Sequence, residues 1–304
     1  MVGRYPTSQE ELKVRQILRI ALFWIVAPLS HEAAAQPPPD AIIVPRFPDA
    51  QDTVRDYALD LLRLALDKGG IDAPLSNSTE EVSQDRFFRE IERDNGTLDI
   101  IWGLTSSERE SRAIAVPIPL DRGLFGWRLL LVSPHTPASL SAVNGPDDLA
   151  QYKAGQMTDW LDTKILRANG LSVATVQNYE SLFKMLQQGR IDYFPRSILE
   201  IDSELRDHRN MGLKVEPNLV LHYPTAFYFF VRHGREELAT TLENGLRKAI
   251  ADGSFKALFY RHFGKTIQSW GLDKRTVIQL INPMAPPSPS PEPLGLMYHP
   301  GDPS

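Results

Sequence analysis

The stretch AFYFFV at residues 226–231, with its earlier counterpart GWRLLLV at 126–132, decides how this chain is read. Both are strongly apolar and of strand length, the composition of a strand covered on its faces by helices. After the first, Pro134 and Pro137 interrupt the pattern and open a connection to different territory. One apolar strand leaving a lobe and a second returning to it predict a discontinuous, two-lobed protein with a double crossover. The expected boundaries are 40–133 plus 227–281 for the first lobe and 134–226 for the second.

Outward from these strands, short apolar runs alternate with amphipathic segments, the signature of an α/β fold with mostly parallel sheets flanked by helices. Ala41 to Val44 reads as a strand and Thr53 to Lys68 as a helix, with Val54, Tyr57, Leu61, Leu62 and Ala65 on one face. Ser78-Thr79-Glu80-Glu81 matches a capping box, predicting a helix that carries Phe87, Phe88 and Ile91 inward and stops at Asn95-Gly96. Leu98 to Trp102 follows as a buried strand. The second lobe is expected to hold a helix from Thr158 to Asn169, a strand at Val173 to Val176, a helix from Tyr179 to Gln188 and a strand at Ile191 to Phe194. Helices over Glu236 to Ala251 and Ser254 to Phe263 complete the first lobe. Residues 282–304 are rich in Pro and Ser, which favours an extended tail that Leu294, Leu296, Met297 and Tyr298 would anchor.

The chain opens with basic residues (Arg4, Lys13, Arg15, Arg19), continues with an apolar run from Ile17 to Leu29, and reaches Ala33-Ala34-Ala35-Gln36. That order predicts a secretory signal, residues 1–35, cleaved near Ala35, and a periplasmic mature protein. About 13 apolar residues fall short of the roughly 20 that a spanning helix requires. The mature chain would keep 29 of the 33 basic and 35 of the 38 acidic residues, a net charge of -6. A mildly acidic surface argues against nucleic acid or an anionic membrane as partner. Cysteine is absent, so disulfides, thiol chemistry and thiolate metal sites are excluded.

The sequence offers no spacing evidence for an enzyme. It has no Gly-x-Ser-x-Gly elbow, no phosphate loop ending in Lys-Ser or Lys-Thr, and no His-Glu-x-x-His. Its seven histidines are scattered, with none at the short spacing that puts two imidazoles on one metal. No catalytic residue, metal ligand or cofactor is expected.

Several segments resemble, in order, those of bacterial extracellular solute-binding proteins of family 3, the polar-amino-acid type. Ser106-Ser107-Glu108-Arg109 is similar to the family's Thr-x-Glu-Arg. Asp147-Asp148-Leu149 and Gly155-Gln156-Met157-Thr158 resemble its entry to the second lobe and its Gly-rich turn. Leu186-Gln187-Gln188-Gly189-Arg190-Ile191-Asp192 resembles Leu-x-x-Gly-Arg-x-Asp, and Phe227 to Val231 with Phe263-Gly264 completes the series. The likeness covers about 40 to 265. It implies a two-lobed architecture of the periplasmic-binding-protein type II and a monomeric receptor that closes on a small solute, an amino acid or carboxylate, and delivers it to an ABC permease.

For ligand binding the resemblance singles out Arg109, whose planar guanidinium suits a carboxylate with two parallel hydrogen bonds. Ser106 and Thr105 stand where the family uses hydroxyl and backbone groups, and Gly103 would let the backbone approach the solute. Thr158 is expected to cap the following helix, whose amide end would face an anion. Trp160, Tyr57 and Trp102 are candidate aromatic walls, Trp102 equally a core residue. Where amino-acid binders carry an acid for the ligand's ammonium, this chain has Pro195-Arg196-Ser197. Arg196 stands either in the cleft, attracting an anion, or on the surface, and Glu200 is an alternative ammonium partner. Asp192 matches the motif's structural acid. The early loop, residues 46–52, departs from the family pattern as well. Rival readings are a sensor without transport and a dehydratase-like enzyme that would use Glu200 or His222.

Overall fold

The computed structural model describes residues 40–46, 53–81, 84–93, 97–286 and 295–302. The expected export signal, most of the early loop and the Asn95-Gly96 helix stop lie outside the described residues. All elements below belong to the unit Pro37–Ser304.

In chain order the first elements are β1 (Ile42–Arg46), α1 (Thr53–Gly69), β2 (Leu75–Glu81), α2 (Gln84–Ile91), β3 (Ile100–Leu104), α3 (Ser107–Arg112) and β4 (Ile114–Val116). Then come β5 (Trp127–Val132), α4 (Pro146–Leu149), β6 (Lys153–Met157), α5 (Leu161–Ala168), β7 (Ser172–Val176), α6 (Tyr179–Gln187) and β8 (Phe194–Ser197). The chain closes with α7 (Ile201–Asp207), β9 (Lys214–Val215), β10 (Leu219–His222), β11 (Phe227–Val231), α8 (Glu236–Ala251), α9 (Ser254–Trp270) and β12 (Thr276–Gln279). Among the described residues no helix is long and apolar enough to cross a membrane.

The periodicity of α1 does what it predicts: Val54, Tyr57, Ala58, Leu61, Leu62, Ala65 and Leu66 form one buried stripe. The capping-box reading fails. Ser78 sits inside β2, which pairs in parallel with β1, and its hydroxyl accepts the Arg46 N–H at 3.0 Å. Sheet pairing there outweighs a local helix-start pattern, and α2 begins later, still burying Phe87, Phe88 and Ile91.

The sheets are mixed, where mostly parallel ones were expected. The pairs β1–β2, β6–β7 and β10–β12 are parallel, whereas β11 runs antiparallel to both β3 and β4, and β5 antiparallel to β8, β9 and β10. The two apolar strands β5 and β11 therefore lie in different sheets. β11 joins β3 and β4. β5 pairs only with strands drawn from residues 194–222, and β12 joins the same sheet, although both were expected with the first lobe. An apolar run encodes burial but not the identity of its neighbour.

Three segments cross between the sheets, 117–126 leading out, 223–226 leading back and 271–275 leading out again to β12, and the first two touch. The Tyr223 N–H donates to the Gly126 carbonyl at 3.2 Å, and a Cβ at Gly126 would fall 2.2 Å from the Tyr223 carbonyl oxygen. Only glycine permits that approach. Gly126→Ala is expected to push the segments apart and cost about 1–3 kcal/mol, seen as a lower urea midpoint with an unchanged slope.

Asp121 anchors the outgoing segment, accepting the N–H groups of Gly123 at 3.1 Å and Phe125 at 2.7 Å. Burial pushes its carboxyl up to about 6, above its ordinary value, despite these bonds. As pH rises from about 4, the unfolded chain loses this proton first, so the contribution of Asp121 to stability falls until about pH 6 and is then constant. The loss amounts to about 3 kcal/mol. The cost of Asp121→Asn, measured by urea denaturation, should accordingly be larger at pH 4 than at pH 7.

The tail is anchored on the same segment. The Arg122 Nε–H donates to the Leu296 carbonyl at 2.8 Å, the Tyr298 N–H donates to the Arg122 carbonyl at 2.8 Å, and Leu296 and Tyr298 are buried.

Candidate functional site

A small cavity of about 50 Å³ is lined by Leu104, Arg109, Phe125, Arg128, Trp160, Leu161, Asp162, Arg196, Glu200 and Phe227. Its walls come from both sheets and the outgoing segment. Phe125 of that segment and Phe227, the first residue of β11, stack with ring centroids 4.6 Å apart.

Arg109 is placed by a local device legible in the sequence. Ser106 is the N-cap of α3, its hydroxyl accepting the Arg109 N–H at 3.2 Å, so Arg109 occupies the first turn. Its guanidinium lies over the Phe88 ring, 4.5 Å from the centroid, and donates to the Leu104 carbonyl at 2.8 Å. Gly103 leaves room for this stack, because a Cβ there would sit 3.3 Å from the Phe88 ring and 3.5 Å from Arg109 Nη1. Thr105 is buried and donates to Glu110 at 2.6 Å; its N–H donates to the Ala226 carbonyl. Ser106 and Thr105 thus shape the Arg109 loop rather than line the cavity.

The opposite wall is a charge network. Arg128, 3 % exposed, meets Asp162 at 2.8 Å and Glu200 at 3.6 Å. Its Nε–H donates to the Tyr223 hydroxyl at 2.7 Å, and that hydroxyl in turn donates to Asp162. Arg196 meets Glu204 at 2.5 Å and Glu200 at 3.1 Å, and its guanidinium carbon lies 4.6 Å from the Trp160 ring centroid. Burial opposes the charge on both arginines, but the surrounding acids more than offset it, holding their pKa values above the ordinary arginine value. Tyr223 and Tyr179 are pushed up, first by burial and then by adjacent carboxylates, so each keeps its proton and donates. Three guanidinium groups (Arg109, Arg128, Arg196) and two carboxylates (Asp162, Glu200) line the cavity, and Glu204, bonded to Arg196 behind the wall, makes the cluster formally neutral. Glu200 is the most open of the acids, its side chain 29 % exposed.

The cavity brings together Arg109, Arg196 and Trp160 of the expected residues. Thr158 lies outside it, exposed, with its hydroxyl donating to the Val176 carbonyl at 3.0 Å; α5 starts three residues later. Tyr57 is a core residue packed against Phe259 and Phe263, donating to the Leu120 carbonyl at 2.6 Å. Trp102 is likewise core, edge-on to Phe229. Asp192 has a backbone role, accepting the Lys153 N–H at 2.7 Å. His222 stacks on Trp127 away from the cavity, its pKa lowered by burial. Among the described residues no group of three or more His, Asp or Glu is placed to hold a metal ion. Sequence reading missed Arg128, Asp162, Phe125 and Phe227. A lone Arg inside WRLLLV was the available signal for Arg128; an acid in the first turn of a helix is too common to mark Asp162.

No family model matches the chain. A probable amino-acid ABC transporter-binding protein of Haemophilus influenzae is 26 % identical over 132 residues, 43 % of this chain and 51 % of that protein. The match thus spans about half the length of the curated relative. Among solved structures, an ancestral arginine-binding protein bound to arginine superimposes with a TM-score of 0.56 at 15 % identity, covering 74 % of this chain and 99 % of the other. A histidine kinase sensor domain with similarity to periplasmic binding proteins gives 0.54 at 16 % identity, covering 74 % and 96 %. The chain therefore has the α/β fold of the two-lobed periplasmic binding proteins, and its resemblance to the bacterial extracellular solute-binding proteins of family 3 is borne out by these likenesses.

Proposed function

We propose that this chain captures a small zwitterionic solute of the amino-acid type between two lobes, outside the cytoplasm, and delivers it to an ABC permease. The observation that carries the reading is the cavity lining, with Arg109 on one wall and Glu200 on the other, in a cluster that becomes formally neutral once Glu204 behind Arg196 is counted. A ligand with net charge, such as a dicarboxylate, would bring uncompensated charge into a confined site, whereas a zwitterion leaves the balance intact. Arg109 takes the carboxylate and Glu200 the ammonium. Arg196, engaged by Glu200 and Glu204, does not serve as the anion site considered from sequence.

The sheet pairing supports lobes of 40–120 plus 227–271, and 127–222 plus 276–279, joined at 121–126, 223–226 and 272–275, whereas the sequence reading puts hinges near 132–135 and 223–227. Arg109 then belongs to the first lobe and Glu200, Trp160 and Asp162 to the second. A solute touching both stabilises the closed state, which contacts with one lobe alone would not do. At about 10–15 Å³ per water the present cavity holds only a few waters, so entry requires the walls to part.

Isothermal titration of the full chain with small neutral L-amino acids tests this. Glu200→Gln is expected to weaken binding about 10- to 100-fold. Equal affinity in the variant, or equal binding of acids that lack an ammonium group, removes Glu200 from the role. One solved neighbour is a sensor domain, so ligand sensing without transport is the second reading; retention of the chain on an ABC permease in the presence of ligand separates the two.

A further inference from the structure

Arg196 is held as a bound ligand would be held. Its side chain is almost fully buried, 5 % exposed, and its guanidinium carbon lies 4.6, 5.1 and 5.5 Å from the ring centroids of Trp160, Phe194 and Tyr179. Glu204 accepts from its Nε–H at 2.7 Å and its Nη2 at 2.5 Å, and Glu200 approaches Nη2 at 3.1 Å. Aromatic rings packed around a guanidinium, with carboxylates bonded to its N–H groups, form a subsite suited to a planar cation. Trp160 and Glu200 also line the cavity, so the subsite is continuous with it. Glu204 pairs with Arg196, while Glu200 is shared between Arg196 and Arg128 and opens to the solute space; three aromatic rings close on Arg196.

We infer that Arg196 is a built-in occupant of a guanidinium subsite and the residue that sets specificity. With the subsite filled from within, the cleft admits solutes with small uncharged side chains and rejects those that end in a guanidinium. The inference about solutes rests on the function proposed above; the existence of the subsite does not.

The test uses the full chain and its Arg196→Ala variant, melted and titrated with methylguanidinium and with L-arginine, against sodium chloride of equal ionic strength. Millimolar methylguanidinium is expected to leave the wild type unchanged and to raise the melting midpoint of Arg196→Ala, by about 5 °C at a hundred times its Kd. L-Arginine should bind the variant at least about tenfold more tightly than the wild type. If Arg196→Ala does not stay folded, its refolding from urea with and without methylguanidinium replaces the melt, and recovery only with the cation supports the subsite. Tight binding of L-arginine by the wild type, or rescue no greater than with sodium chloride, overturns the inference. Rescue by methylguanidinium with no binding of L-arginine keeps the subsite and sinks the amino-acid cleft instead.

Discussion

Arg109→Ala is expected to abolish detectable solute binding, weakening affinity by at least about 100-fold, while the melting midpoint falls by no more than about 5 °C. The two effects separate because the side chain does two jobs of unequal size. In the folded chain it contributes a stack on Phe88 and a hydrogen bond to the Leu104 carbonyl. Those contacts are worth about 1–2 kcal/mol together. Against a ligand carboxylate in a confined cleft, the same fork makes two charge-assisted bonds worth considerably more. Arg109→Lys should lie between, since a point charge cannot reproduce both bonds. A collapse of stability with affinity retained would make Arg109 a structural residue.

Arg128→Met should have the opposite signature, a large loss of stability. It strands Asp162, which is buried and receives its charged partner at 2.8 Å, and it removes the donor to the Tyr223 hydroxyl. Breaking one side of such a pair costs about 3–5 kcal/mol, or a fall of about 10 °C in melting midpoint for a chain of this size. Arg128→Met combined with Asp162→Leu should recover most of that loss, because no buried charge then remains unmatched. A double variant as unstable as the single one would locate the cost in packing around Tyr223 instead.

How much of this was legible in the sequence depended on the range of the interaction. Helical faces such as that of Val54, Tyr57, Leu61 and Ala65 are read from spacing, because burial of one stripe is a local consequence of the helix. The Ser106 cap that positions Arg109 is equally local. Strand partners are not: AFYFFV and WRLLLV look alike, yet one pairs with β3 and β4 and the other with β8, β9 and β10. The Ser78 motif failed for the same reason, since its fate was set by β1, some 32 residues away. In the site, Arg196 was singled out from its neighbours in the chain, but its aromatic cage and the Arg128–Asp162–Tyr223 network are assembled only in space.

The most direct measurement is calorimetric titration of the full chain with L-alanine, propionate and propylamine, which carry both charges, the carboxylate alone and the ammonium alone. Capture of a zwitterion between Arg109 and Glu200 predicts one site per chain for L-alanine and at least about 100-fold weaker binding of each half-molecule. Propionate or a dicarboxylate binding as tightly as L-alanine would contradict it.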